Sequence, residues 1–134
     1  MAAKIKNLVV SNDPAMLGFL PQSLDECGYH VITTQHTDGQ LKETLDRELP
    51  DIVILDIMMP GLDGIEVGLR IRKWSQVPIL MLSTWGAGED KVRGLDLISD
   101  TYLTEPFGIE GVRERVEQSL QRNAAAMNLP SHVH

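Results

Sequence analysis

Apolar positions along the chain follow two alternating rhythms. Short runs of strand length occupy 5–10, 29–34, 52–55, 79–82 and 101–104, and segments with apolar residues three or four apart lie between them. Three of the runs are continuously apolar, as strands covered on both faces of a parallel sheet are. Asp13-Pro14 predicts a helix start, with Asp as the cap and Pro in the first turn. Leu17, Leu20 and Leu24 then share one face, and Gly28 supplies a stop. A second helix is predicted over 39–49, with Leu41, Leu45 and Leu49 on one face and Glu43 four residues before Arg47. Further helices are predicted over 64–74 and 89–97, and a fifth segment repeats Ile109, Val112, Val116 and Leu120 at helical spacing. Strands alternating with helices imply right-handed crossovers and a parallel sheet with helices on both faces.

Two places break the rhythm. Pro21 lies inside the first helix, where the missing N–H and the ring clash cost roughly 3 kcal/mol, and Gly18 weakens the same turn. A kink or an early end is the expectation there. From Asn123 onward the chain lacks a clear amphipathic face and contains Pro130. The predicted organisation is therefore one domain over 1–122, then a frayed helix end and a linker or disordered tail over 123–134.

Composition narrows the function classes. Twelve basic residues against nineteen acidic ones give a net charge of −7, and the pI is near 4.9. Such a balance argues against the domain gripping nucleic acid alone, because that affinity comes largely from Lys and Arg neutralising phosphates. The apolar strand runs fall far short of a bilayer span, and no signal peptide is visible. A single cysteine, Cys27, excludes an internal disulfide and fits a reducing cytoplasm. The 134 residues suit one compact domain.

In an open parallel sheet, ligands sit at the carboxyl ends of the strands. The residues there are Ser11, Asn12 and Asp13 after the first strand, Asp56 after the third, Ser83 after the fourth, and Glu105-Pro106-Phe107 after the fifth. The run Asp51-Ile52-Val53-Ile54-Leu55-Asp56, with Met58-Met59-Pro60-Gly61 behind it, resembles the phosphoacceptor strand and loop of response-regulator receiver domains. Pro78 through Ser83 resembles their fourth strand, and Asp100 through Phe107 their fifth. The resemblance covers nearly the whole chain. It implies a flavodoxin-like (βα)5 fold with strand order 2-1-3-4-5.

The same resemblance places Asp56 at the phosphoacceptor position, whose carboxylate in the family attacks the phosphoryl group of a phosphohistidine on a sensor histidine kinase. In the family, an acidic pair after the first strand holds Mg2+ with the phosphoacceptor and a backbone carbonyl, here that of Met58. A lysine before the proline of the fifth strand pairs with the acyl phosphate, and a Ser/Thr of the fourth strand, here Ser83, hydrogen-bonds it. Ser83 and Tyr102 match the family's switch pair. This chain departs at the charged positions: Ser11 and Asn12 replace the acidic pair, and Glu105 replaces the lysine. Two unit charges 4 Å apart interact by roughly 4 kcal/mol at a dielectric near 20. The departures thus predict weak Mg2+ binding, with Asn12, Asp56 and the Met58 carbonyl as the remaining donors. A metal-free pocket held by hydrogen bonds from Ser11, Asn12 and Ser83, with Asp13 committed to capping, is the expectation.

Lys91, Val92, Leu95, Asp100 and Arg115 resemble the face by which OmpR/PhoB-type regulators form symmetric dimers through helix 4, strand 5 and helix 5. Thr101 and Gly111 stand where that subfamily places further ion-pair partners. The resemblance implies a cytoplasmic signalling and dimerisation module with impaired aspartyl phosphorylation, attached to a DNA-binding effector or acting alone. Turnover is not expected, since no nucleophile–base pair or metal-ligand cluster is visible. Two rivals are an ordinary receiver that phosphorylates Asp56 with Mg2+, and a flavodoxin-like redox carrier. The latter needs a phosphate loop that Ser11-Asn12-Asp13-Pro14 does not supply.

Overall fold

The computed structural model describes residues 4–56, 64–83, 101–104 and 108–128. The described residues form five strands and four helices: β1 (Lys6–Val10), α1 (Pro14–Glu26), β2 (His30–Thr34), α2 (Gly39–Glu48), β3 (Ile52–Asp56), α3 (Gly64–Trp74), β4 (Ile79–Ser83), β5 (Thr101–Thr104) and the C-terminal helix α4 (Ile109–Asn128). The helix expected over 89–97 lies outside the described residues. The strands form one parallel sheet in the order β2-β1-β3-β4-β5. This is the flavodoxin-like receiver architecture.

Each sheet face buries its own layer, because alternate strand residues point to opposite sides. Leu8, Val10, Val53, Leu55, Ile79 and Met81 pack against Leu41 and Leu45 of α2 and Val67 and Ile71 of α3. Val9, Ile52, Ile54, Leu80 and Leu82 pack against Leu20 and Leu24 of α1 and Val112 and Val116 of α4. All five residues of β3 are buried, which accounts for its unbroken apolar run.

Helix ends follow from local chemistry. Asp13 caps α1, its Oδ1 accepting from the Ala15 N–H at 3.1 Å, and Asp38 caps α2 through the Gln40 N–H at 3.0 Å. After α1, Gly28 turns the chain at φ 95°, where a Cβ is disfavoured, and its N–H donates to the Asp25 carbonyl. Of the two outcomes expected at Pro21, a kink or an early end, the early end does not occur: α1 runs on through Pro21 to Glu26. Leu20 and Leu24, both fully buried, anchor the turns on either side, so core packing outweighs the one lost intrahelical bond. The second helix stops at Glu48, and Leu49 caps it in the left-handed region at φ 46° while its side chain stays 76% exposed. The C-terminal helix continues beyond the boundary placed at 122, to Asn128. Its added turns carry Ala124, Ala125 and Ala126, and alanine is the best helix former.

Candidate functional site

The parallel register brings the ends of β1 and β3 together. Val10 lies opposite Leu55, so the next residues on each strand, Ser11 and Asp56, become neighbours although 45 positions apart in the chain. Both are buried, at 0% and 6% exposure. The Ser11 hydroxyl donates to Asp56 Oδ2 at 3.0 Å. The same Oγ accepts the Asp13 N–H at 3.0 Å, and the Ser11 N–H donates to the Thr34 carbonyl at 3.1 Å. Ser11 is thereby fixed from three sides: by β3, by the first turn of α1 and by β2. A hydroxyl has one proton to give, and here Asp56 receives it.

The Oδ1 of Asn12 is buried and has no hydrogen-bond partner among the described residues. Asp13 lies where expected, its carboxylate engaged in capping α1. The Ser11 hydroxyl thus donates to Asp56, while the Asn12 oxygen is an acceptor without a donor among the described residues. Ser83 ends β4, one residue past Leu82, which lies opposite Asp56. Tyr102 lies on β5 opposite Met81, and Thr104 opposite Ser83. Arg115 lies exposed on α4. Met58, Glu105, Lys91, Val92, Leu95 and Asp100 lie outside the described residues.

A divalent cation is what the resemblance implies at this end of the sheet. Mg2+ takes hard oxygen donors and is bound through carboxylates together with substrate phosphates. Among the described residues the candidate donors are one carboxylate, a hydroxyl already bonded to it, and one neutral amide oxygen. That set carries a single formal negative charge and fits a divalent ion poorly. No group of three or more His, Cys, Asp or Glu among the described residues is placed to hold a metal. No helix among them is long and apolar enough to cross a membrane.

Sequence reasoning missed one participant in the site and one buried polar residue at the other end of β1. The Thr34 carbonyl is a backbone atom, and no side-chain motif announces it. Asn7, fully buried on β1 with neither amide atom partnered, was legible only as a polar residue interrupting an apolar run.

Comparison with known proteins agrees with the geometry. The family model described as "Response regulator receiver domain" matches residues 8–117. The alkaline phosphatase synthesis transcriptional regulatory protein PhoP of Bacillus subtilis is 40% identical over 122 residues, covering 90% of this chain and 50% of that protein. The transcriptional regulatory protein KdpE of Mycobacterium tuberculosis is 36% identical over 126 residues, covering 94% of this chain and 55% of that protein. The chain thus spans about half the length of these curated relatives. Among solved structures, the receiver domain of Francisella response regulator 1452 superposes with a TM-score of 0.77 at 30% identity, covering 90% of this chain and 99% of that one. Sheet order, the aspartate at the end of β3 and these matches together place the chain in the response regulator receiver domain family of two-component signalling.

Proposed function

We propose that this receiver signals by protein contact with weakened or absent phosphorylation of Asp56. The observation that carries the reading is the 3.0 Å hydrogen bond from Ser11 to Asp56 Oδ2. It sets a neutral hydroxyl donor on the carboxylate at a position where the family supplies a metal-binding acid. Asn12 and Glu105 extend the same change of charge. Phosphoryl transfer to a carboxylate depends on cationic stabilisation of the developing charge, so each of these substitutions removes driving force. The partner is a sensor histidine kinase or another signalling protein. Regulation of transcription, as the names of the relatives describe for them, would pass to an effector region, with a homodimer formed through the Lys91, Leu95, Asp100 and Arg115 face.

Incubation with acetyl phosphate and Mg2+ followed by intact-mass measurement tests this. The expected spectrum shows the unmodified mass. The triple variant Ser11→Asp, Asn12→Asp, Glu105→Lys is expected to gain one phosphoryl group and to lose it again when Asp56→Ala is added. A phosphoryl adduct on the unaltered chain that Asp56→Ala removes would establish the ordinary phospho-accepting receiver instead. That second reading draws on the placement of Asp56 itself, an aspartate at the carboxyl end of a central parallel strand.

A further inference from the structure

Strand β2 forms one edge of the sheet. The His30 N–H donates inward to the Ile5 carbonyl at 2.9 Å, and the Thr34 carbonyl accepts inward from Ser11 at 3.1 Å. Residues 30, 32 and 34 therefore turn their backbone groups towards β1, and Val31, Thr33 and Gln35 turn theirs outward. Among the described residues these outward groups pair with no other strand. An edge of this kind is a template for another strand.

The edge is recessed. A cleft of about 480 Å³ runs along it, lined by Leu17 of α1, by Ile32 through His36, and by Thr44 and Arg47 of α2. The two helices pack on opposite faces of the sheet, so the cleft has one helix on each rim and the strand edge as its floor. Its volume falls within the range of ligand clefts. A recessed edge admits a single extended segment more readily than the edge of a second folded sheet.

Among the described residues that line the cleft none is acidic, and one, Arg47, is basic. The Arg47 side chain is 65% exposed and gives Nε to Glu48, which leaves its Nη groups as donors.

We propose that the β2 edge is a strand-addition site for an extended, acidic segment of a partner protein. The segment would lie between α1 and α2, exchange main-chain hydrogen bonds with Val31, Thr33 and Gln35, and place a carboxylate on Arg47. This is the recognition mode in which backbone bonds supply affinity and side-chain contacts supply specificity. It is independent of whether Asp56 accepts phosphate.

The test uses the whole chain labelled with nitrogen-15 and a nonapeptide of alternating valine and threonine with one central glutamate. Saturable amide shifts are expected at Val31, Thr33 and Gln35. Thr33→Pro removes an outward N–H that no strand uses, and edge positions tolerate proline. It is expected to lower affinity roughly tenfold or more, the weight of a lost hydrogen bond or two. Replacing the peptide glutamate by glutamine is expected to weaken binding several-fold in the unaltered chain and not in Arg47→Ala. A peptide N-methylated at alternate amides repeats the backbone test without altering the protein, should Thr33→Pro perturb folding. Absence of shifts along 31–35 at millimolar peptide, or binding indifferent to N-methylation, overturns the proposal. So does concentration-dependent self-association that Thr33→Pro abolishes, which would make the occupant a second copy.

Discussion

Asn7 and Ser11 sit on the same face of β1 and its immediate extension, and both are fully excluded from solvent. Ser11, at the carboxyl end, has its hydroxyl and its N–H engaged, with Asp56, Asp13 and Thr34 as partners. Asn7, at the opposite end, has neither Nδ2 nor Oδ1 hydrogen-bonded among the described residues, and its cross-strand neighbours are Val31 and Ile52. A buried polar group costs about 1–3 kcal/mol when left unpaired and contributes a modest net gain when paired. The two ends of one strand therefore pull stability in opposite directions. The end beside the candidate site is organised by its polar residues, and the other end holds a polar residue among apolar neighbours.

The largest expected effect tests the satisfied end. Ser11→Ala strips a donor from the buried Asp56 carboxylate and an acceptor from the Asp13 N–H, and should lower unfolding free energy by about 3 kcal/mol. Urea denaturation of Ser11→Ala, Asp56→Ala and the double variant measures the coupling. Strictly additive losses would dissolve the contrast, because the hydrogen bond would then carry no energy.

Asn7→Leu probes the other end. Removing two unpaired polar atoms and adding apolar surface should raise stability by about 2 kcal/mol. The denaturation midpoint should rise at constant m-value. A loss of stability instead would mean that the amide is satisfied, for example by an internal water, and that the two ends are alike.

Leu49 caps α2 at the same end as Asn7, in a backbone region that an L-residue with a Cβ enters at a cost. Leu49→Gly should stabilise by about 0.5–1 kcal/mol, less than the relief of strain alone because glycine adds freedom to the unfolded chain. Thermal melting resolves a gain of that size.

The smallest effect is electrostatic. Arg47, by hydrogen-bonding the Glu48 carboxylate, holds its pKa below the ordinary 4.5, against an opposing contribution from burial and with help from the Lys6 amine. A depressed folded pKa adds stability above the unfolded value, and that stability is lost as pH falls through the folded one. Glu48→Gln should therefore cost a little stability at neutral pH and none in acid, the two proteins converging as pH falls below about 4.5, as denaturation at several pH values would show.

Much of this was legible in the chain. Continuous apolar runs located β3 and β4 because both faces of those strands are covered, and Asp13 announced the start of α1 because an aspartate satisfies free N–H groups there. Pro21 misled, since its local cost is set against the burial of Leu20 and Leu24, which only packing reveals. The residues after Asn123 read as a frayed helix end followed by a linker or tail, and the helix propensity of the alanines carries α4 to Asn128. At the candidate site, residue types named Ser11 and Asp56, and the resemblance placed them together. Spacing alone could not, because a contact between residues 45 apart depends on which strands are neighbours and in what register.

What the sequence determined by itself was the alternation of elements, their caps and the change of charge at the positions of Ser11, Asn12 and Glu105. These are properties of residues and of their near neighbours along the chain. What only the tertiary structure decided was which polar atoms meet: that Ser11 spends its one proton on Asp56, that Asn7 finds no partner, and that the β2 edge lies recessed between α1 and α2. Hydrogen-bond satisfaction and concavity are relations between distant segments, and they come into being only when the sheet brings those segments within a few ångströms.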